Sequence, residues 1–216
     1  MASEIKVISL DLDGVLFEGP SAAFVVAQQV GIGDQFRALM QKVAAEEMSP
    51  EESVHEVAKI WKGIPADNTY HDIIKSLPLM TGSEETVKSL KDWGYEVGCI
   101  SSGVSQFFML PLRKRMNLDF AYSNVLGSKE GAHDGTVEYI MMGPEKAETI
   151  LKYVKEIGYS LESVASVGNG FNDIDLFKAS AFSIAFNPVH QMVSDAASVT
   201  VESKDLRSIL PYFEKS

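Results

Sequence analysis

Apolar residues in this chain fall into two rhythms, short unbroken runs and longer stretches spaced by three or four. Residues 5–10 are apolar except for Lys6 and Ser9, and their β-branched content suits an interior parallel strand. Similar runs at 95–100, 164–167, 182–185 and 199–201 predict further strands, the last at an edge. Helical spacing is seen in 22–30, which ends at Gly31-Ile32-Gly33, and in 34–48 through Phe36, Leu39, Met40, Val43 and Ala44. Ser49-Pro50-Glu51-Glu52 reads as an N-cap with proline at the first helical position and acids in the first turn. That helix runs through Val54, Val57, Ala58 and Trp61 to Gly63, and Pro65 bars its continuation. Residues 82–93, 104–116, 144–157 and 174–179 predict four more helices. Residues 121–140 hold turn signals (Gly127, Gly131 and His133-Asp134-Gly135) between β-prone segments, the pattern of a hairpin.

Strands alternating with helices imply an α/β fold, a Rossmann-like parallel sheet flanked by helices with right-handed crossovers. The stretch 21–76 breaks this alternation because it is mostly helical. We therefore expect a core formed by residues 1–17 and 79–216, with 18–78 a small helical cap inserted after the first strand. A chain of 216 residues can bury one substantial core and a small accessory unit.

Charge narrows the partners. With 30 acidic against 19 basic residues the net charge is −11, which argues against nucleic acid or an anionic membrane surface. The densest basic run, Arg113-Lys114-Arg115, reads as a solvated helix end. No apolar stretch approaches the ~20 residues that span a bilayer. The first apolar run stops at Asp11, so no signal peptide is expected. A single cysteine, Cys99, excludes an internal disulfide framework and points to the cytoplasm, with the thiol a small buried hydrophobe.

The candidate chemistry lies where predicted strands end, the edge at which open α/β sheets bind ligands. Asp11-Leu12-Asp13-Gly14 follows the first strand and places two carboxylates at i and i+2. Such a pair can divide phosphoryl transfer, one attacking phosphorus and the other handling the leaving-group proton, with a hard cation between them. An Asx-type turn accounts for the same residues structurally. Ser101-Ser102-Gly103 follows the second strand; its Ser101 hydroxyl and the N–H groups of Ser102 and Gly103 suit an anion, and a serine N-cap also suits the position. Lys146 falls in the first turn of a helix, where its charge opposes the dipole unless it meets an anion. Gly168-Asn169-Gly170-Phe171-Asn172-Asp173 gathers oxygen donors appropriate to Mg2+ in a turn-rich loop.

Together these four stretches resemble the motifs of the haloacid dehalogenase superfamily, within it the phosphoserine-phosphatase-like branch, and the likeness extends over nearly the whole chain. The resemblance implies that Asp11 is the nucleophile and a Mg2+ ligand. Asp13 would be the general acid/base, with its carbonyl on the metal. Ser101 and Lys146 would hold the phosphoryl oxygens, with Ser102 and Gly103 alongside, while Asn172 and Asp173 support substrate and metal. The metal set would be Asp11, Asp13, Asn169 and Asp173. The function implied is a Mg2+-dependent phosphomonoesterase acting on a small phosphorylated metabolite through an aspartyl phosphate. Phosphotransfer to an acceptor alcohol and a low-activity phosphate-binding relative are the alternatives.

Two departures stand out. Position 169 is usually aspartate in the family and is asparagine here, so one negative charge is missing from the expected metal set. The branch also grips phosphoserine with a glutamate just after the first motif and an arginine in the cap. Here Pro20 stands where that glutamate aligns, and Arg37 is the one arginine between residues 18 and 78. Glu18 and His55 are left as candidate contacts to a more polar or cationic leaving group, and phosphoserine itself is not the expected substrate.

Overall fold

The computed structural model describes residues 4–19, 21–66 and 69–214. Strand β1 (Val7–Leu10) is followed by helices α1 (Ala22–Gln29), α2 (Gly33–Ala44), α3 (Pro50–Trp61), α4 (Thr69–Lys75) and α5 (Ser83–Asp92). Then come β2 (Glu96–Ser105), α6 (Gln106–Met116), the hairpin β3 (Phe120–Lys129) and β4 (Ala132–Tyr139), and α7 (Gly143–Glu156). The remainder is β5 (Val164–Gly168), α8 (Ile174–Ala179), β6 (Phe182–Phe186), α9 (Gln191–Ala196) and β7 (Val199–Val201). The seven strands form one sheet in the order β4-β3-β2-β1-β5-β6-β7, parallel throughout except for β4 against β3.

β1 lies at the centre, with Leu10 opposite Cys99 of β2 and Val167 of β5. Chain order reverses between β1 and β5, so the carboxyl ends of β1, β2 and β5 border one crevice. Alternate residues of β1 serve opposite faces: Ile8 and Leu10 join Val87, Leu90 and Leu112 from α5 and α6, whereas Val7 packs with Ile150, Val154 and Leu176 from α7 and α8. No helix among the described residues is long and apolar enough to cross a membrane.

Local signals fix several boundaries. At α3 the Ser49 Oγ accepts from Glu52 N at 3.1 Å and Glu52 Oε2 accepts from Ser49 N at 2.9 Å, a reciprocal cap with Pro50 at the first helical position. Helix α2 ends at Ala44 rather than near residue 48. Glu46 takes a left-handed conformation (φ 57°) just beyond it, and Glu46-Glu47 would put acids on the negative end of the dipole. The second strand continues beyond residue 100 to Ser105, with an irregular register against β3. Asn124 holds it extended, its Nδ2 donating to the carbonyls of Ser102 (2.8 Å) and Val104 (3.0 Å). Between α3 and α4 the chain pairs with the outer side of β4. Gly63 N donates to His133 O (2.8 Å), His133 N to Ile64 O (3.0 Å), and Ala66 N to Gly131 O (2.9 Å). An exposed sheet edge is thereby covered.

Candidate active site

Asp11 leaves β1 at the crevice, its backbone N–H donating to Val167 O at 2.9 Å, and its side chain is almost wholly buried. The turn that follows depends on Gly14, whose φ of 77° favours glycine and whose missing Cβ leaves room for the Asn169 amide. Phe17 N donates back to Leu12 O (2.9 Å), which closes the turn and aims Asp13 towards the start of α1. There Asp13 Oδ1 accepts from Ala22 N at 2.6 Å. Gly103 faces the other Asp13 oxygen so closely that any side chain at this position would displace the carboxylate.

Lys146 is fully buried on the inner face of α7, and its Nζ donates to Asp11 Oδ1 (2.9 Å) and Asp173 Oδ1 (2.7 Å). Burial alone would lower the ammonium's pKa, but the charges of Asp11 and Asp173 outweigh it and hold the group above the usual lysine value. Asp173 Oδ2 accepts from the N–H groups of Asn169 (2.9 Å) and Gly170 (3.0 Å). This carboxylate, expected among the metal ligands, is instead occupied by Lys146 and by the loop after β5, and it lines neither cavity described below.

Asp11, Asp13, Ser101, Ser102, Gly103, Asn169, Asn172 and Val189 line a polar cavity of about 320 Å3. Ser101 Oγ accepts from Gly103 N at 3.1 Å, while the buried Ser102 Oγ meets no hydrogen-bond partner among the described residues. Burial pushes both aspartates up: Asp11 is raised by desolvation and by the charge of Asp173 against the pull of Lys146, and Asp13 by desolvation to about 7. Asp11, Asp13 and Asp173 thus lie near one ammonium, an excess of negative charge that a divalent cation would offset. No group of three or more His, Cys, Asp or Glu side chains is arranged to hold a metal among the described residues. The side chains bordering the cavity offer oxygen donors, the carboxylates of Asp11 and Asp13, the amides of Asn169 and Asn172 and the hydroxyls of Ser101 and Ser102. That set fits Mg2+, which takes a few protein oxygens and keeps several waters.

Most of the expected residues therefore meet. Glu18 does not: it is exposed and lines neither cavity, because the turn at Gly14 carries it away from the crevice. His55 is exposed on α3, and Arg37 is exposed with its guanidinium over the Phe24 ring (5.4 Å) and paired with Asp34. Pro20 lies outside the described residues. The backbone N–H of Ala22, the shaping role of Asn124 and the contribution of Val189 have no sequence signal, since none belongs to a motif.

The model for haloacid dehalogenase-like hydrolases matches residues 127–212. The phosphoserine phosphatase of Methanocaldococcus jannaschii is 29% identical over 215 residues, which cover 99% of this chain and 100% of that one. The chain belongs to the haloacid dehalogenase superfamily. Within the superfamily it falls in the phosphoserine-phosphatase-like branch, and as an enzyme it is a phosphatase-type hydrolase. Phosphoserine phosphatase SerB2 of Mycobacterium tuberculosis is 30% identical over 195 residues, 89% of this chain but 47% of that longer protein. A solved substrate-bound phosphoserine phosphatase complex superposes with a TM-score of 0.81 at 28% identity, over 98% of this chain and 100% of that one.

Proposed function

We propose that this member of the superfamily is a Mg2+-dependent phosphomonoesterase for a small phosphorylated metabolite, with residues 18–78 forming a cap over the site. The observation that carries the reading is the placement of Asp11 and Asp13 on one cavity with Lys146 directly behind Asp11. Asp11 Oδ1 is held by Lys146, so Oδ2 attacks phosphorus in line. The P–O bond to the leaving group breaks, its electron pair staying on the ester oxygen, which takes the proton of Asp13. Water then attacks the aspartyl phosphate, giving its proton to Asp13 and returning Asp11 as a carboxylate. An Asp13 whose pKa is raised to about 7 is suited to hold and release a proton near neutrality. Ser101, with the N–H groups of Ser102 and Gly103, orients the phosphoryl oxygens on one side and Asn172 on the other; Lys146 neutralises charge on the Asp11 side. A Mg2+ ion held by Asp11, Asp13 and Asn169 would supply charge neutralisation on the phosphoryl group. A cytoplasmic setting is supported by the single buried thiol, Cys99.

The reading does not favour phosphoserine. No lysine or arginine lines either cavity among the described residues, so a substrate carboxylate lacks a charge-assisted partner worth about 1.5–3 kcal/mol. The test is phosphate release from an aryl phosphate by the purified chain, with Mg2+ and with chelator, beside Asp11→Asn. Turnover that needs Mg2+ and disappears in Asp11→Asn is expected. Undiminished turnover in that variant refutes the nucleophile assignment.

A further inference from the structure

Asp13, Ser102 and Gly103 border two spaces at once. On one side is the polar cavity; on the other, between the helical segment and the sheet, is a cavity of about 200 Å3. Val26 of α1, Phe36 and Met40 of α2, and Val54, Val57 and Trp61 of α3 form much of its wall. Asp13 is the one charged side chain lining it among the described residues. Most of the polar groups in the wall are already engaged. Ser21 Oγ accepts from Phe24 N (3.2 Å), and Ser53 Oγ donates to Pro50 O (2.5 Å). Tyr70 OH pairs with His133 Nε2 (2.6 Å), and Asn124 Oδ1 accepts from Met141 N (2.8 Å). Ser102 Oγ, buried and without such a partner, stands at the junction of the two spaces.

This arrangement sets the chemistry of whatever alcohol leaves phosphorus. With the phosphoryl group at Asp11 and the ester oxygen at Asp13, the apolar space beyond Ser102 lies next to the rest of the alcohol. A carboxylate there would lose its hydration and gain no cation; an ammonium would lose its hydration and find only Asp13, whose Oδ1 already accepts from Ala22 N–H. An apolar cavity of about 150 Å3 accepts one benzene, so one of this size accepts a single ring or a branched alkyl group on a short linker. We propose that the substrate is a phosphate monoester of an uncharged, apolar alcohol of that size, with Ser102 Oγ donating to an ester or phosphoryl oxygen. The inference rests on the phosphomonoesterase reading and adds the class of leaving group.

The test compares phosphate release by the full chain in Mg2+ from benzyl phosphate and from O-phosphoserine. Benzyl phosphate is expected to have the higher kcat/KM by at least about tenfold, the scale on which pockets discriminate apolar groups. Equal or better use of phosphoserine overturns the apolar assignment and leaves the phosphatase reading standing. No release from either ester removes the phosphatase reading, and the inference with it. Val57→Arg, which brings a guanidinium to the wall, is expected to lower the benzyl-to-serine ratio by about tenfold or more; an unchanged ratio in the folded variant counts against the cavity as the leaving-group site. Binding is read independently in Asp11→Asn, where benzyl alcohol is expected to alter the emission of Trp61 and to lose that effect in the additional Trp61→Phe background. Emission that does not respond, or responds equally without Trp61, overturns the placement.

Discussion

Asp13 Oδ1 accepts a 2.6 Å hydrogen bond from the backbone N–H of Ala22, the first residue of α1. The proposed proton donor is therefore held by the same helical segment that walls the apolar cavity, so leaving-group binding and proton donation share one element. Asp13→Asn keeps an oxygen for Ala22 N and removes the proton. Activity is expected to fall about 10²–10⁴-fold while stability stays near wild type. Asp13→Ala also removes the acceptor and is expected to cost a further ~1 kcal/mol, as loss of a helix N-terminal acceptor does. Phosphate release and urea denaturation measure the two effects, and an Asp13→Asn enzyme that retains most of its rate would refute the acid/base assignment.

Lys146 is the best-enclosed charge among the described residues, bonded at once to Asp11 and Asp173. Lys146→Met leaves two buried carboxylates without their cation, and the expected loss is about 3–5 kcal/mol. In a chain of this size that is a fall in Tm of about 2–4 °C per kcal/mol. Adding Asp173→Asn to Lys146→Met removes one of the stranded charges, so the double variant should be more stable than additivity allows. Strict additivity in thermal unfolding would mean the triad is not coupled as its geometry implies.

Much of this site was legible in the chain because its residues cluster in short segments at strand ends. Asp11 and Asp13, Ser101 to Gly103, Asn169 and Asn172 needed only the order of strands to be brought together. Asp173, expected among the metal ligands, here holds Lys146 and two loop amides; a carboxylate beside a metal loop and one that braces a lysine have the same local sequence, and the docking of α7 that brings Lys146 to it leaves no local signal. The exposure of Glu18 was not legible, because the turn that begins at Gly14 decides which way the following residues face. The strand that runs on to Ser105 is held by Asn124, a contact made across the sheet and invisible to local pattern. The apolar cavity was the least legible feature, since its wall draws residues from several helices whose spacing reads equally well as ordinary core.

His133 joins the hairpin to the helical segment. Its ring packs on Phe107 (centroids 4.7 Å apart) and Trp61 (5.7 Å), and Nε2 pairs with Tyr70 OH. Burial lowers its pKa below the ordinary 6.5, against a weaker upward pull from Asp134. The folded ring therefore stays neutral where the unfolded one takes up a proton, so its contribution is intact above the unfolded pKa and declines as pH falls below it. Unfolding free energy is expected to drop between about pH 7.5 and about pH 5, and the drop should be smaller in His133→Phe, which keeps an aromatic ring without the titration. An equal drop in both proteins would assign the acid sensitivity elsewhere.

Asn169 gives a prediction whose sign depends on the metal. Its amide lies against Gly14 on the cavity that Asp11 and Asp13 border. Asn169→Asp adds a fourth carboxylate to a site whose cation is Lys146 alone. Without Mg2+ the added charge is repelled by its neighbours, and the variant should unfold at a lower temperature than wild type. With saturating Mg2+ the same charge becomes a ligand, so the metal should bind about tenfold or more tightly and the order of Tm values should reverse or close. Thermal unfolding in chelator and in Mg2+, with calorimetric titration of the metal, separates the two regimes. A stability difference of the same sign and size in both conditions would show that position 169 does not reach the cation, and the metal set would then rest on Asp11, Asp13 and water.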